Sequence, residues 1–103
     1  MPDLNELHVF RRGAEWALAA GVAVELGIIA ALGDGQGRSS EIASRLNLSP
    51  RGVETLLGAL EELGAVTREE SGWQLTGAAR ARLLDAETPD YEADSLVHWM
   101  RTI

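Results

Sequence analysis

Residues 39–64, SSEIASRLNLSPRGVETLLGALEELG, decide the fold of this chain. Pro50 suits the first turn of a helix, because its ring fixes the backbone angle that a helix needs and its missing N–H would have no partner there. Apolar residues then recur in steps of three and four as far as Leu63, which is the spacing of one helix face. Gly64 marks the end of this helix. The stretch predicts an amphipathic helix over residues 50–63.

A second, shorter helix is predicted just before it. Ile42, Ala43 and Leu46 share one face, and Asn47 tolerates the left-handed conformation that often follows a helix end. About three residues separate the two helices, which is typical of a helix-turn-helix.

Polar residues stand where both helices should begin. Ser39 or Ser40 is expected to cap the shorter helix, with Glu41 near its positive end, and Ser49 is expected to cap the longer one.

A hairpin follows this pair of helices. Residues 65–70 and 73–76 read as two short strands joined across Ser71-Gly72, with Trp73 and Leu75 on the same face. In a winged helix this hairpin is the wing. Thr76 is then expected to cap a helix that runs to Leu84.

On the amino-terminal side, apolar residues recur at helical spacing over residues 4–32. This predicts one long helix or two consecutive ones. Gly13, Gly21 and Gly27 each favour either a break or the close approach of a neighbouring helix, and the sequence leaves both open. Residues 33–37 form a loop. The apolar stretch 17–32 is too short to span a membrane and carries Glu25 in its middle.

On the carboxyl-terminal side, an acidic loop over residues 85–90 precedes Leu96, Met100 and Ile103, which begin one more helix. The predicted fold is therefore mainly α: one winged helix-turn-helix domain over residues 1–103, with extra N-terminal and C-terminal helices and a short two-stranded wing.

The composition narrows the choice of partners. Among 103 residues, nine basic residues, all Arg, stand against sixteen acidic ones, a net charge of −7 that disfavours nucleic acid and anionic lipid. There is no Cys, hence no disulfide, thiol nucleophile or thiolate metal site. No secretion signal is recognised at the start, so we expect a cytoplasmic protein.

The segments AVELGIIAAL (23–32), SSEIASRLNLSPRGVETLLGALEELGAV (39–66) and GWQLTGAARARLL (72–84), in this order, resemble the N-terminal dimerisation domain of the S-adenosylmethionine-dependent O-methyltransferases. That family methylates plant phenolics, hydroxyindoles and bacterial polyketides. The resemblance covers about residues 14–84.

The resemblance implies a winged-helix unit that intertwines with its twin and shapes part of the substrate pocket. Methyl transfer and S-adenosylmethionine would belong to a C-terminal Rossmann-like domain that these residues do not contain, so the chain is expected to be either a piece of such an enzyme or an isolated domain. No catalytic, cofactor or metal residue is assigned, and the methyl acceptor is not identified. Our choice for the paired face of a homodimer is Leu7, Phe10, Ala14, Ala17 and Leu18.

Several features could be candidate catalytic or binding sites, but for each of them a structural interpretation is favoured. Gly33, Gly35 and Gly37 have the GxGxG spacing of a nucleotide loop, yet helical sequence precedes them, which favours a flexible connector. His8 and His98 lack a nucleophile or a ligand partner at fixed spacing. The acidic side chains between residues 85 and 94 lack the glycine and the ligand periodicity of a calcium loop, which favours a solvated surface: Asp85, Glu87, Asp90, Glu92 and Asp94. Trp16, Trp73 and Trp99 could stack on an aromatic substrate but are better interpreted as core or interface residues.

Two other functions remain open from sequence. A winged-helix transcription regulator has the same helix order and would place the helix over residues 50–63 in the major groove of DNA. A standalone ligand-binding or adaptor module is the third possibility.

Overall fold

The computed structural model describes residues 4–35 and 37–102 and confirms a mainly α winged helix with a two-stranded wing. Gln36 of the predicted loop and Ile103 of the predicted last helix lie outside the described residues. After a 3₁₀ turn at Leu4–Glu6, the elements are α1 (Leu7–Glu25), α2 (Ile28–Gly33), α3 (Ser39–Leu46), α4 (Pro50–Leu63), β1 (Val66–Glu69), β2 (Gly72–Leu75), α5 (Gly77–Ala79) with a π-helical turn (Arg80–Leu84), and α6 (Ala93–Thr102).

The helix-turn-helix consists of α3 and α4, as predicted. Asn47 ends α3 and Gly64 ends α4, both in the left-handed conformation (φ 58° and 87°). The Ser49 hydroxyl accepts a hydrogen bond from the Gly52 N–H at 3.2 Å, which confirms it as the cap of α4.

The predicted serine cap of α3 is wrong. Arg38 occupies the cap position, and its backbone N–H donates to the Glu41 carboxylate at 3.3 Å. Ser39 and Ser40 are already inside the first helical turn, and a side chain caps a helix only from the residue before that turn. The Ser39 hydroxyl instead donates to Glu54 and accepts from the Trp73 indole N–H, the latter at 3.0 Å.

The wing is an antiparallel pair in which Val66 lies opposite Leu75 and Glu69 opposite Gly72. The turn is therefore Glu70-Ser71, one residue earlier than predicted. Trp73 and Leu75 are both buried on the same face, as predicted.

A third segment joins the wing at Gly37. Its N–H donates to the Trp73 carbonyl at 3.1 Å, and the Trp73 N–H donates back to the Gly37 carbonyl at 2.7 Å. A Cβ on Gly72 would lie 2.6 Å from the Gly37 backbone, so this approach requires glycine. Gly33 packs equally closely on Leu84, where a Cβ would meet its Cδ2 at 2.6 Å. The interpretation of these glycines as a flexible connector is therefore wrong for Gly33 and Gly37, which are fixed by packing and pairing.

The two alternatives for the N-terminal glycines are both realised, at different positions. Gly27 breaks the helix, with φ 87° between α1 and α2. Gly21 lets α6 approach α1, because a Cβ there would lie 3.2 Å from the Leu96 carbonyl oxygen and 3.4 Å from the Met100 Cβ. Farther along, Arg101 of α6 forms an ion pair with Glu25 of α1.

The core lies where helices α1–α4, the wing and α5 with its π-helical turn meet. The Thr76 hydroxyl accepts from the Ala79 N–H at 3.2 Å and caps α5, as predicted. The largest fully buried side chains are those of Ile28, Ile29, Leu32, Leu57, Leu60 and Val66.

Candidate dimerisation surface

The two halves of α1 have different surroundings. Every residue from 7 to 15 is exposed, whereas those from 16 to 24 are half-buried or buried against the rest of the protein. We call residues 7–15 the α1 arm and residues 16–25 the α1 root. At 1.5 Å per residue the arm extends about 14 Å along the helix axis. It is a helical projection none of whose residues is buried by its own domain.

The arm carries large apolar side chains. Leu7 is 60% exposed, Val9 59% and Phe10 52%, and Leu4 in the preceding turn is 85% exposed. Scattered apolar residues are normal on a surface, but a cluster on one short segment is typical of an interaction site.

The five residues predicted for the paired face lie on both halves of α1. Leu7, Phe10 and Ala14 are exposed on the arm, whereas Ala17 and Leu18 are half-buried on the root. With about 100° between successive residues, all five share a sector about 100° wide. Val9 lies outside that sector and was missed by the periodicity, as was the exposed Leu26. Leu63, predicted on the apolar face of α4, and Trp99, predicted as a core or interface residue, are also exposed.

Two apolar grooves flank α1. The α1–α4 groove, about 640 Å³, includes Val22, Leu26, Leu48, Leu56 and Ala59 in its lining. The α5–α6 groove, about 540 Å³, includes Trp16, Ala17, Leu63, Leu83 and Leu96.

The two grooves differ in charge. Arg51 alone is charged among the described residues that line the α1–α4 groove. The α5–α6 groove includes Arg82 and Glu92, whose side chains form an ion pair at 2.9 Å. An apolar helix that entered the second groove would therefore have to desolvate charged groups, which costs free energy.

An ion pair between the arm and α4, which we call the arm–α4 tie, lies beside the α5–α6 groove. Arg12 forms an ion pair with Glu62 at 3.2 Å, and its guanidinium lies 5.7 Å from the ring centre of Trp16. Trp16 lines this groove, so the tie adds to the polar groups at its edge.

The face between α4 and the wing is where a winged helix would contact DNA. Arg68 lies 4.3 Å from the Trp73 ring centre and forms an ion pair with Glu54 at 3.2 Å. Three arginines (38, 51 and 68) and three glutamates (54, 69 and 70) line this face, so 3 − 3 gives no net charge. One of its three arginines, Arg68, already has two protein partners.

The remaining candidate residues are not brought together. His8 lies on the arm and His98 on α6, both exposed. Within residues 4–35 and 37–102, no three His, Asp or Glu side chains are grouped so that they could hold a metal ion. In the acidic segment, partial burial and the adjacent Asp94 raise the pKa of the Tyr91 hydroxyl.

The three tryptophans and the glycine loop do not form a binding site together either. Trp73 is buried, Trp16 is half-buried and Trp99 is exposed, so they do not line one pocket. The GxGxG segment begins at Gly33, the last residue of helix α2, and no strand precedes it there, unlike the nucleotide loop that its spacing suggests. None of the helices in the described part of the chain is long and apolar enough to cross a membrane.

Comparison with solved structures finds the same fold in methyltransferases. PigF in complex with SAH matches with 26% identity and a TM-score of 0.76, over 95% of this chain and 32% of that one. Human N-acetylserotonin methyltransferase in complex with SAM matches with 22% identity and a TM-score of 0.79, over 98% and 31%. An O-methyltransferase family 2 protein from Planctomyces limnophilus in complex with apigenin matches with 20% identity and a TM-score of 0.79, over 98% and 30%.

This chain thus spans about a third of the length of these structures. No curated protein matches it in a sequence comparison. The family model of the O-methyltransferase dimerisation domain matches residues 18–85, which is more than half of the chain. With its winged helix, this chain belongs to the O-methyltransferase dimerisation domain family.

Proposed function

We propose that this domain pairs with a second copy of itself through the α1 arm. The observation that carries the proposal is the exposure of Leu7 and Phe10 on one side of a helical segment that its own domain does not bury. Burying a side chain of this size contributes about 1.5–3 kcal/mol, so covering several of them favours association. The predicted face of Leu7, Phe10, Ala14, Ala17 and Leu18 is kept as part of this proposal.

The pairing would serve a methyltransferase. Family membership supports a winged-helix domain within a homodimeric, cytoplasmic, S-adenosylmethionine-dependent O-methyltransferase, in which methyl transfer and cofactor binding belong to a C-terminal domain outside these residues. Here the domain would shape part of the substrate pocket without itself supplying a catalytic group. Residues 1–103 would form a single folded unit in that enzyme.

Sedimentation equilibrium across the micromolar range tests the pairing. We expect a dimer, and we expect Phe10→Asp to weaken association at least about tenfold, equivalent to about 1.4 kcal/mol, because it puts a charge where an apolar contact forms. Ser44→Asp, on the exposed side of α3, is the matched control and should leave the dimer unchanged. A clean monomer for the unmodified chain would contradict the proposal.

The transcription-regulator alternative requires a free basic surface. DNA-binding proteins draw much of their affinity from Arg and Lys that neutralise phosphates. The α4–wing face has no net charge, and its Arg68 is engaged by Glu54 and Trp73. We therefore infer that this face does not hold nucleic acid. A mobility-shift assay at low salt with random genomic DNA should give no discrete complex, and a salt-sensitive complex at nanomolar protein would favour the regulator.

A further inference from the structure

We propose that the α1–α4 groove binds a small amphipathic molecule, a monocarboxylate with an apolar tail, and that Arg51 holds the carboxylate. The site is separate from the proposed self-pairing, because none of the five residues of the predicted paired face lines this groove. Three features of the groove point to this ligand: its shape, its unpaired cation and the absence of a competing acid.

The groove has the size and the lining of a small-molecule site. Its volume of about 640 Å³ lies within the range of roughly 300–1,000 Å³ that is typical of ligand pockets. Val22 and Leu26, at the end of α1, lie on one side, and Leu56 and Ala59 of α4 lie on the other. Along α4 the lining reaches from Arg51 to Ala59, about 12 Å at 1.5 Å per residue. An elongated apolar tail suits this shape.

Arg51 is unpaired in a chain that pairs most of its arginines. Six of the nine arginines form ion pairs with carboxylates, and Arg80 donates to the Gly33 carbonyl. Within the described residues the Arg51 guanidinium has no ion pair and no hydrogen bond; Thr55 bonds only to its backbone carbonyl. A guanidinium can hold a carboxylate through two parallel hydrogen bonds. One end of the apolar groove therefore offers a free site for an anionic head.

The charges around Arg51 favour a head with a single negative charge. No Asp or Glu is among the described residues that line the groove, so no carboxylate of the protein competes there. Glu54, one turn along α4, is already engaged by Arg68 and Ser39. A phosphate group carries about −1.5 to −2 charges, which one arginine would leave partly uncompensated on a chain with a net charge of −7.

The α5–α6 groove does not offer the same combination. Its cation, Arg82, is already paired with Glu92 at 2.9 Å, so a carboxylate ligand would have to replace the protein's own acid. Ala17, which belongs to the predicted paired face, also lines that groove. The α1–α4 groove is therefore the one in which an apolar acid finds both an apolar wall and an unpaired cation.

Titration of the isotope-labelled 103-residue chain with decanoate, followed by amide NMR shifts, tests the site. Decanoate joins one carboxylate to an unbranched apolar tail of about the length of the groove. We expect saturable shifts at Val22, Leu26 and Ala59, while Ala78 of the α5–α6 groove stays constant. Decyltrimethylammonium carries the same tail on a cation and should leave the α1–α4 groove unshifted.

Two variants separate the head from the tail. Arg51→Gln should weaken decanoate binding about fivefold, the effect of an exposed ion pair, and added salt should reduce the difference. Arg38→Gln is the matched control, because it removes the same charge from an exposed arginine that does not line this groove, and it should leave the Kd unchanged. Leu26→Asp should weaken binding at least as much as Arg51→Gln, and the 42% exposure of Leu26 means that the fold should tolerate it.

Three results would overturn the inference. Decanoate could cause no saturable shift, its shifts could be confined to the α5–α6 groove, or Arg51→Gln and Arg38→Gln could weaken it equally. Phe10→Asp, which is expected to weaken self-pairing, should bind decanoate like the unmodified chain. Loss of the dimer and loss of the ligand are thus measured separately.

Discussion

The arm and the root of α1 form one continuous helix, but the arm exposes large apolar side chains and the root buries small ones. The arm presents Leu7 and Phe10 to solvent, whereas the fully buried positions of the root are Ala20, Gly21 and Ala23. The side chains at these buried positions are small because neighbouring helices approach the backbone there, and at Gly21 the gap to α6 leaves hardly any room for a Cβ. The largest side chains of the helix are therefore outside the core that its smallest side chains help to build.

This difference indicates that the two halves serve different equilibria. Substitutions in the root should change the free energy of unfolding, because it packs against the domain's own core. Substitutions in the arm should change the free energy of association and leave the folded monomer nearly unchanged. Identical substitutions placed in both halves can test this division.

The largest expected contrast is Ala23→Asp against Ala14→Asp. Ala23 is fully buried, so a carboxylate there would lose its water without gaining a partner, at a cost of at least about 3 kcal/mol. Ala14 is exposed, and the same change should cost the monomer only about 0.5 kcal/mol through helix propensity while weakening the dimer. Urea denaturation at low protein concentration measures the first effect and sedimentation the second. Equal loss of stability in the two variants would refute the division.

A smaller contrast is expected for Gly21→Val against Gly13→Val. At Gly21 a Cβ would already lie 3.2 Å from the Leu96 carbonyl oxygen, so a branched side chain must push α6 away, at about 1–3 kcal/mol. At Gly13 a Cβ would meet nothing within 4 Å, and we expect a change within about 0.5 kcal/mol. Thermal unfolding followed by circular dichroism compares them. If G13V proved as damaging as G21V, the arm would not be the uncovered segment described above.

The smallest expected effect is that of Arg12→Met. This change removes the ion pair with Glu62 and the contact with the Trp16 ring but keeps an apolar stem. Both side chains of the ion pair are about 61% exposed, so the loss should not exceed about 1 kcal/mol, and it should shrink as salt is added. Urea denaturation at low and at high salt checks this. A loss above about 2 kcal/mol would mean that the arm depends on this tie for its position.

The elements with strong local signals were predictable from the sequence. Pro50 and Gly64 mark the ends of α4, and Thr76 marks the start of α5, because each acts on backbone groups within a few residues of itself. The Gly37–Trp73 pairing was not predictable, because it joins residues 36 positions apart, with α3, α4 and β1 between them. The Ser39 cap failed for a local reason, since a helix start that is one residue earlier changes which side chain can cap it.

The candidate site was predictable only in part. The spacing of Leu7, Phe10 and Ala14 indicates an apolar face, but the same spacing would describe a helix packed inside its own domain. Which half of α1 the domain covers depends on where α4 and α6 lie. Leu26 was missed because its exposure arises from the break at Gly27, a tertiary feature that helical periodicity does not contain.

The three tryptophans give the molecule a set of optical reporters, one for each environment. Trp73 is enclosed beneath Arg68 and should emit at short wavelength, beyond the reach of iodide or acrylamide. Trp99 is exposed on α6 and should be quenched readily. Trp16 begins the root directly after the arm and lines the α5–α6 groove, so its emission should respond to an occupant of that groove while that of Trp73 stays constant. Variants that keep a single tryptophan would therefore follow wing, arm and last helix separately, without any attached label.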